Sequence, residues 1–125
     1  MLLDTHTLLW FLNNDSKLIS TVKSDIENAD QVVVSIVNLW EIAIKLSIQK
    51  LELDFAFTEL PDFLTQLEIR ILPLIFADLE QYITLPLHHR DPFDRLLIAQ
   101  AMTNSLGIVS ADTAFGAYPV RRIWV

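Results

Sequence analysis

"QVVVSIVNLWEIAIKLSIQ", residues 31–49, sets the frame in which the rest of the chain is read. Val32, Val33 and Val34 form an unbroken β-branched run, the pattern of a strand covered on both faces in a parallel sheet. Ser35 ends that run and is placed to cap a helix. The residues that follow are apolar nearly all round, interrupted only by Asn38, Glu41 and Lys45, which fall at i, i+3 and i+7 on one narrow stripe. Such a helix is expected to be buried on most sides. An exposed pairing of Glu41 with Lys45 would contribute only about 0.3 to 0.5 kcal/mol. A glutamate among Ile, Leu and Trp is better explained by a polar pocket that it faces.

Upstream, "MLLD" is a short apolar run that stops at Asp4, and "THTLLWFLN" continues with helical spacing through Leu8, Leu9, Phe11 and Leu12. Residues 15–30 read as an amphipathic surface helix capped by Ser16, with Leu18, Ile19, Val22 and Ile26 inward. Downstream, residues 57–68 form a helix with Pro61 in its first turns, "IRILPL" a strand and "FADLEQYIT" another helix. "HHRDPFDRLLIAQA", residues 88–101, is a strongly apolar helix behind Asp91 and Pro92. "GIVSAD" follows as a strand behind a C-capping Gly107, then a short helical "TAFGAY" and a closing strand "RRIWV". Alternating short buried strands and longer helices predict right-handed crossovers and a mainly parallel α/β sheet of about five strands. Any site is then expected where the loops leave the C-terminal ends of the strands.

Composition narrows the classes of function. With 125 residues and 52% hydrophobic content, residues 1–125 are expected to form a single domain with its own core. The absence of cysteine excludes a disulfide framework, a thiolate nucleophile and a cysteine-ligated metal. No window approaches the roughly 18 apolar residues of a membrane span, and no basic leader precedes Asp4, so a soluble, cytoplasmic chain is expected. Nine Lys and Arg against 16 Asp and Glu give a net charge of −7, which repels nucleic acid unless cations intervene.

The acids carry the chemistry. Asp4 and Asp112 each end a strand, a position that N-capping alone explains about half the time. Asp91 before Pro92 is accounted for as an N-cap. Asp94 is not, because its i, i+4, i+7 line runs through Ile98 and Ala101, so its side chain leans over apolar ground. Burying an ionised carboxylate costs several kcal/mol without a compensating cation. Asp4, Glu41, Asp94 and Asp112 thus fall at or near one edge of the sheet, and oxygen-only ligands point to Mg2+ or Mn2+. Such ions bind phosphate and lower the pKa of a water that attacks it, which also answers the charge objection. Ser35 and Ser110 can orient a ligand or a water, although capping explains them nearly as well. His6, His88 and His89 lack the spacing that presents two imidazoles to one ion, and surface or hydrogen-bonding roles are expected. His88, His89, Arg90, Arg95 and Lys45 are candidate phosphate contacts.

Along its whole length the chain resembles PIN-domain proteins, more closely the VapC-type ribonuclease toxins of toxin–antitoxin pairs. "LLDTHTLLWFL" resembles the opening strand, acid and helix of the family, and carries its first metal-site acid to Asp4. "SIVNLWEIAIK" places the family glutamate at Glu41. "HRDPFDRLLIAQA" places an acid at Asp94, with Asp91 a lesser candidate, and "IVSAD" places the last at Asp112 with the small hydroxyl residue at Ser110. Ser-Ala-Asp stands where Thr-Arg-Asp is frequent, so a basic substrate contact beside Asp112 is missing. The resemblance implies a three-layer α/β/α fold, Mg2+- or Mn2+-dependent cleavage of RNA, a homodimer and an antitoxin partner. Trp10 and Phe11, on a short helix, offer that partner a surface, against even odds that both are core.

Two rival readings remain open at this point. A phosphatase with Asp4 as nucleophile would resemble Asp-x-Asp-x-Thr, but His6 stands in place of the second acid. A non-catalytic interaction module that merely retains the fold predicts no binding of Mg2+ or Mn2+.

Overall fold

The structure, a computed structural model, describes residues 1–124; Val125, the last residue of the expected closing strand, lies outside them. Five strands form one sheet in the order β3-β2-β1-β4-β5, every pairing parallel. They are β1 (Leu2–Leu3), β2 (Val32–Ser35), β3 (Ile69–Leu72), β4 (Ile108–Val109) and β5 (Arg122–Ile123). Six helices connect them: α1 (Thr5–Leu12), α2 (Ser20–Asn28), α3 (Ile36–Ser47), α4 (Leu60–Gln66), α5 (Phe76–Thr84) and α6 (Pro92–Asn104). Single 3-10 turns lie at Phe57–Glu59 and Thr113–Ala117.

The strand alternation of side chains divides the apolar residues between two faces. Leu3, Val32, Val34 and Val109 join Leu8, Val22, Ile26, Leu39, Ile42, Leu60 and Leu64 on one side. Leu2, Val33 and Ile108 join Val37, Leu97, Ile98, Ala101 and Phe115 on the other. The sheet is therefore the middle of three layers, as its doubly apolar strands require. Because β1 is flanked by β2 on one side and β4 on the other, the strand order reverses beside β1. That reversal opens a crevice at the C-terminal ends of β1 and β4.

Local chemistry shifts several boundaries. α2 begins at Ser20, not behind Ser16, because Asp15 captures the turn: its side chain accepts from the Lys17 N–H (2.9 Å) and its carbonyl from the Leu18 N–H (3.1 Å). α6 ends with Ser105 in the left-handed conformation (φ 54°), so Gly107 is not its cap. Gly107 lies in a tight place instead: a Cβ there would displace the end of the Ile123 side chain (Cδ1 at 2.9 Å) and crowd the Arg121 carbonyl at 3.3 Å. α3 is not wrapped on most sides either: Ile36, Trp40 and Ile48 are exposed, Trp40 by 58%. Trp10 and Phe11 are half-buried against the first core face, with Trp10 between His6 and Trp124. No helix among the described residues is long and apolar enough to cross a membrane.

Candidate metal centre

Each acid reaches the crevice from a different element. Asp4 follows β1 and caps α1, its Oδ1 accepting the Thr7 N–H at 2.9 Å, and it is buried. Asp112 follows β4 and accepts the Ala114 N–H through Oδ1 at 2.9 Å, leaving Oδ2 turned to the crevice. Glu41 stands in the second turn of α3, and Asp94 in the first turn of α6.

Asp94 is where they meet. Its carboxyl is pushed up to about 7 by burial, then by Asp91, and further by Asp4 and Glu41, against a lowering influence from His89. The Asp94 side chain is 21% exposed, so its neighbours act on it through little water. His89 Nε2 lies 3.0 Å from Asp94 Oδ2 and 3.1 Å from Asp112 Oδ2. Of the four sequence-predicted acids, Asp94 and Asp112 thus share one imidazole, while Asp4 and Glu41 act on Asp94 through their charge and lie outside that close group.

The donor atoms of His89, Asp94 and Asp112 lie within 4.8 Å of one another, close enough to share an ion. The ring's other nitrogen decides what His89 does. The Asp91 N–H donates to Nδ1 (3.2 Å), so the neutral ring carries its proton on Nε2. A metal-bound imidazole needs the opposite arrangement, with a bare Nε2 and a donating second nitrogen. In this tautomer His89 serves the acids as a donor, and the ligand atoms for a cation would be carboxylate oxygens. Hard carboxylate oxygens are the donor set that fits Mg2+ or Mn2+.

The supporting residues divide. Asp91 acts as the cap of α6, its Oδ1 accepting from the Phe93 and Asp94 N–H groups (2.8 and 3.2 Å), and its charge raises Asp94. Ser35 caps α3 through the Val37 N–H (2.9 Å) and donates to Gln100 Oε1, tying α3 to α6. Ser110 Oγ accepts the Asp112 N–H (3.0 Å). Both serines thus fix the turns that bear the acids rather than touching the carboxylates.

Glu41 accepts from Thr5 Oγ1 (2.6 Å) through Oε1 and pairs with Lys45 Nζ (3.1 Å) through Oε2. Glu41 thus has a polar inner partner in Thr5 together with the Lys45 pair that the sequence allowed. Arg95, a candidate phosphate contact, is instead buried, donating to the carbonyls of Leu85, Pro86 and His89 and to the Tyr118 hydroxyl. His88 is exposed and edge-on to Tyr118, and Arg90 is exposed. Thr5 and Asn38 were missed as parts of the site by sequence reasoning, their only signals being adjacency to Asp4 and a place three residues before Glu41, whereas His89, expected as a hydrogen-bonding group or phosphate contact, lies between Asp94 and Asp112.

A family model for the PIN domain matches residues 1–120. No curated protein matches the chain. Among solved structures, the chain is similar to VapBC2 from Rickettsia felis bound to a DNA fragment from its promoter, with 15% identity, a TM-score of 0.71 and coverage of 98% of this chain and 96% of that one. It is similar to FitAB bound to the IR36 DNA fragment, with 18% identity, a TM-score of 0.72 and coverage of 98% and 92%. FitAcB from Neisseria gonorrhoeae gives 23% identity, a TM-score of 0.69 and coverage of 98% and 95%. At such identities the likeness is one of fold.

Proposed function

The chain belongs to the PIN domain family, and from that premise we propose that it is a Mg2+- or Mn2+-dependent endoribonuclease acting as the toxin of a toxin–antitoxin pair. The observation that carries the reading is the meeting of Asp94 Oδ2 and Asp112 Oδ2 on His89 Nε2, at 3.0 and 3.1 Å, within the field of Asp4 and Glu41, an acidic cluster that a cation would neutralise. Asp4, Glu41, Asp94 and Asp112 would hold one or two ions. When bound, these supply Lewis acidity toward a phosphate and lower the pKa of the attacking water.

The chain's own groups then do the rest. The carboxylates would fix the position of a bound cation relative to the strand ends, and no side chain is required as nucleophile. Lys45, beside Glu41 and about one third exposed, is the cation best placed to meet the RNA backbone. His89 presents an N–H to the same space.

Several solved relatives are toxin–antitoxin complexes, which supports an antitoxin partner. The surface supports partners as well. Along α5 and the loop behind it, Phe76, Leu79, Ile83 and Leu87 are exposed, with Ile83 at 82%. An apolar row of this kind suits a second copy or an antitoxin segment. A cytoplasmic, single-domain chain is part of the same proposal. Purified protein incubated with total RNA should cleave it in Mn2+ and cease in a chelator. Cleavage that persists without divalent ions would overturn the assignment.

A further inference from the structure

Glu41 sits on a largely apolar helix, yet its carboxylate is held from both sides, by Lys45 and by Thr5, and the inner hold runs through a directed chain of hydrogen bonds. The Ser35 N–H donates to Asn38 Oδ1 at 2.7 Å, which fixes the orientation of the amide and leaves Asn38 Nδ2 as the donor at the other end. That Nδ2 donates to Thr5 Oγ1 at 3.0 Å. With its oxygen accepting from Asn38, the Thr5 hydroxyl sends its own proton to Glu41 Oε1 at 2.6 Å. Asn38 and Thr5 are both buried, so the inner contacts of the chain are shielded from water.

Thr5 is also the first residue of α1, next to Asp4, whose carboxylate caps that helix. The chain therefore joins the turn carrying Asp4 to the helix carrying Glu41 across the gap between β1 and β2. We propose that Thr5, oriented by Asn38, is a positioning residue that sets where Glu41 stands relative to Asp4 and so shapes the cation site. The inference rests on the metal-dependent reading above and names a residue through which the site is aligned without touching the ion.

Mn2+ binding, followed by isothermal calorimetry on the full chain with thermal unfolding as a control, separates alignment from general stability. Thr5→Val keeps the shape and removes the hydroxyl; it should weaken Mn2+ binding by at least about tenfold, the scale on which outer-shell partners act. Thr5→Ser restores the hydroxyl and should return binding close to that of the parent. Should Thr5→Val fail to fold, Thr5→Ala removes the same group without burying an extra methyl and gives the same comparison. Hydroxyl-free variants that bind Mn2+ as tightly as the parent would overturn the positioning role and leave the metal site standing. A Thr5→Ser variant as weak as Thr5→Val would overturn it too. A parent that binds no Mn2+ would remove the metal site and the inference together.

Discussion

Asp94 and Arg95 are neighbours on α6, opposite in charge, and the fold treats them in opposite ways. Arg95 is buried, and its guanidinium is met by the carbonyls of Leu85, Pro86 and His89, by the Tyr118 hydroxyl and by the face of Tyr82, 4.9 Å from the ring centroid. Its charge is spent on tying the chain before α6 to the second 3-10 turn. Asp94 is largely withdrawn from water, with one ring N–H to answer it and like charges on several sides, so its carboxyl rises to about 7. A buried charge with every donor matched is architecture, whereas one left short of partners among acids is what the proposed cation site would answer.

The largest test of that contrast is chemical. Asp94→Asn and Asp4→Asn should each cut RNA cleavage by more than about a hundredfold, since loss of even an outer-shell partner costs about 10 to 100-fold. Circular dichroism should be unchanged. Either variant cleaving at the parent rate would place the acids on the architectural side. Arg95→Met should do the reverse, lowering stability in urea by on the order of 3 kcal/mol by leaving carbonyls and a hydroxyl unpaired. Unchanged stability would mean the strap is ornamental.

A pH series sharpens the comparison further. Because the Asp94 carboxyl is raised from 3.8 to about 7, the folded chain keeps a proton across that window that the unfolded chain has released. Stability of the metal-free protein should therefore fall as pH rises from 3.8 to about 7 and then level, and Asp94→Asn should lack that contribution. Binding an ion requires that proton to leave, so Mn2+ affinity should drop about tenfold per pH unit below the Asp94 value. An affinity flat from pH 5 to pH 8, a range of about three units around His-like values, would contradict the crowding. The smallest effect is expected at Ser110, where Ala removes one hydrogen bond to the Asp112 turn and costs about 1 kcal/mol.

The fold was legible where the pattern has a local cause. Three consecutive valines, Asp4 after two leucines and Pro92 behind Asp91 each specify their element through burial or through a cap, and the parallel five-stranded sheet follows from their alternation. The start of α2 was misread because Asp15 and Ser16 are both credible turn formers, and only the backbone bonds made by Asp15 settle which of them holds the chain. The exposure of Trp40 escaped the periodicity for a related reason. An all-apolar helix says that its faces can be buried, not that a neighbour is present to bury them.

At the site, residue type and strand-end position singled out Asp4, Glu41, Asp94 and Asp112, because carboxylates on apolar elements are costly wherever they come to rest. The chain alone could say that those costs must be met. Which groups meet them was decided by the tertiary structure, since it depends on distances between residues far apart in sequence. Arg95 went to carbonyls, His89 went to Asp94 and Asp112, and Thr5 went to Glu41. Hydrogen bonds and fields act over a few ångströms, and only folding sets separations on that scale between a strand end, two helices and a loop.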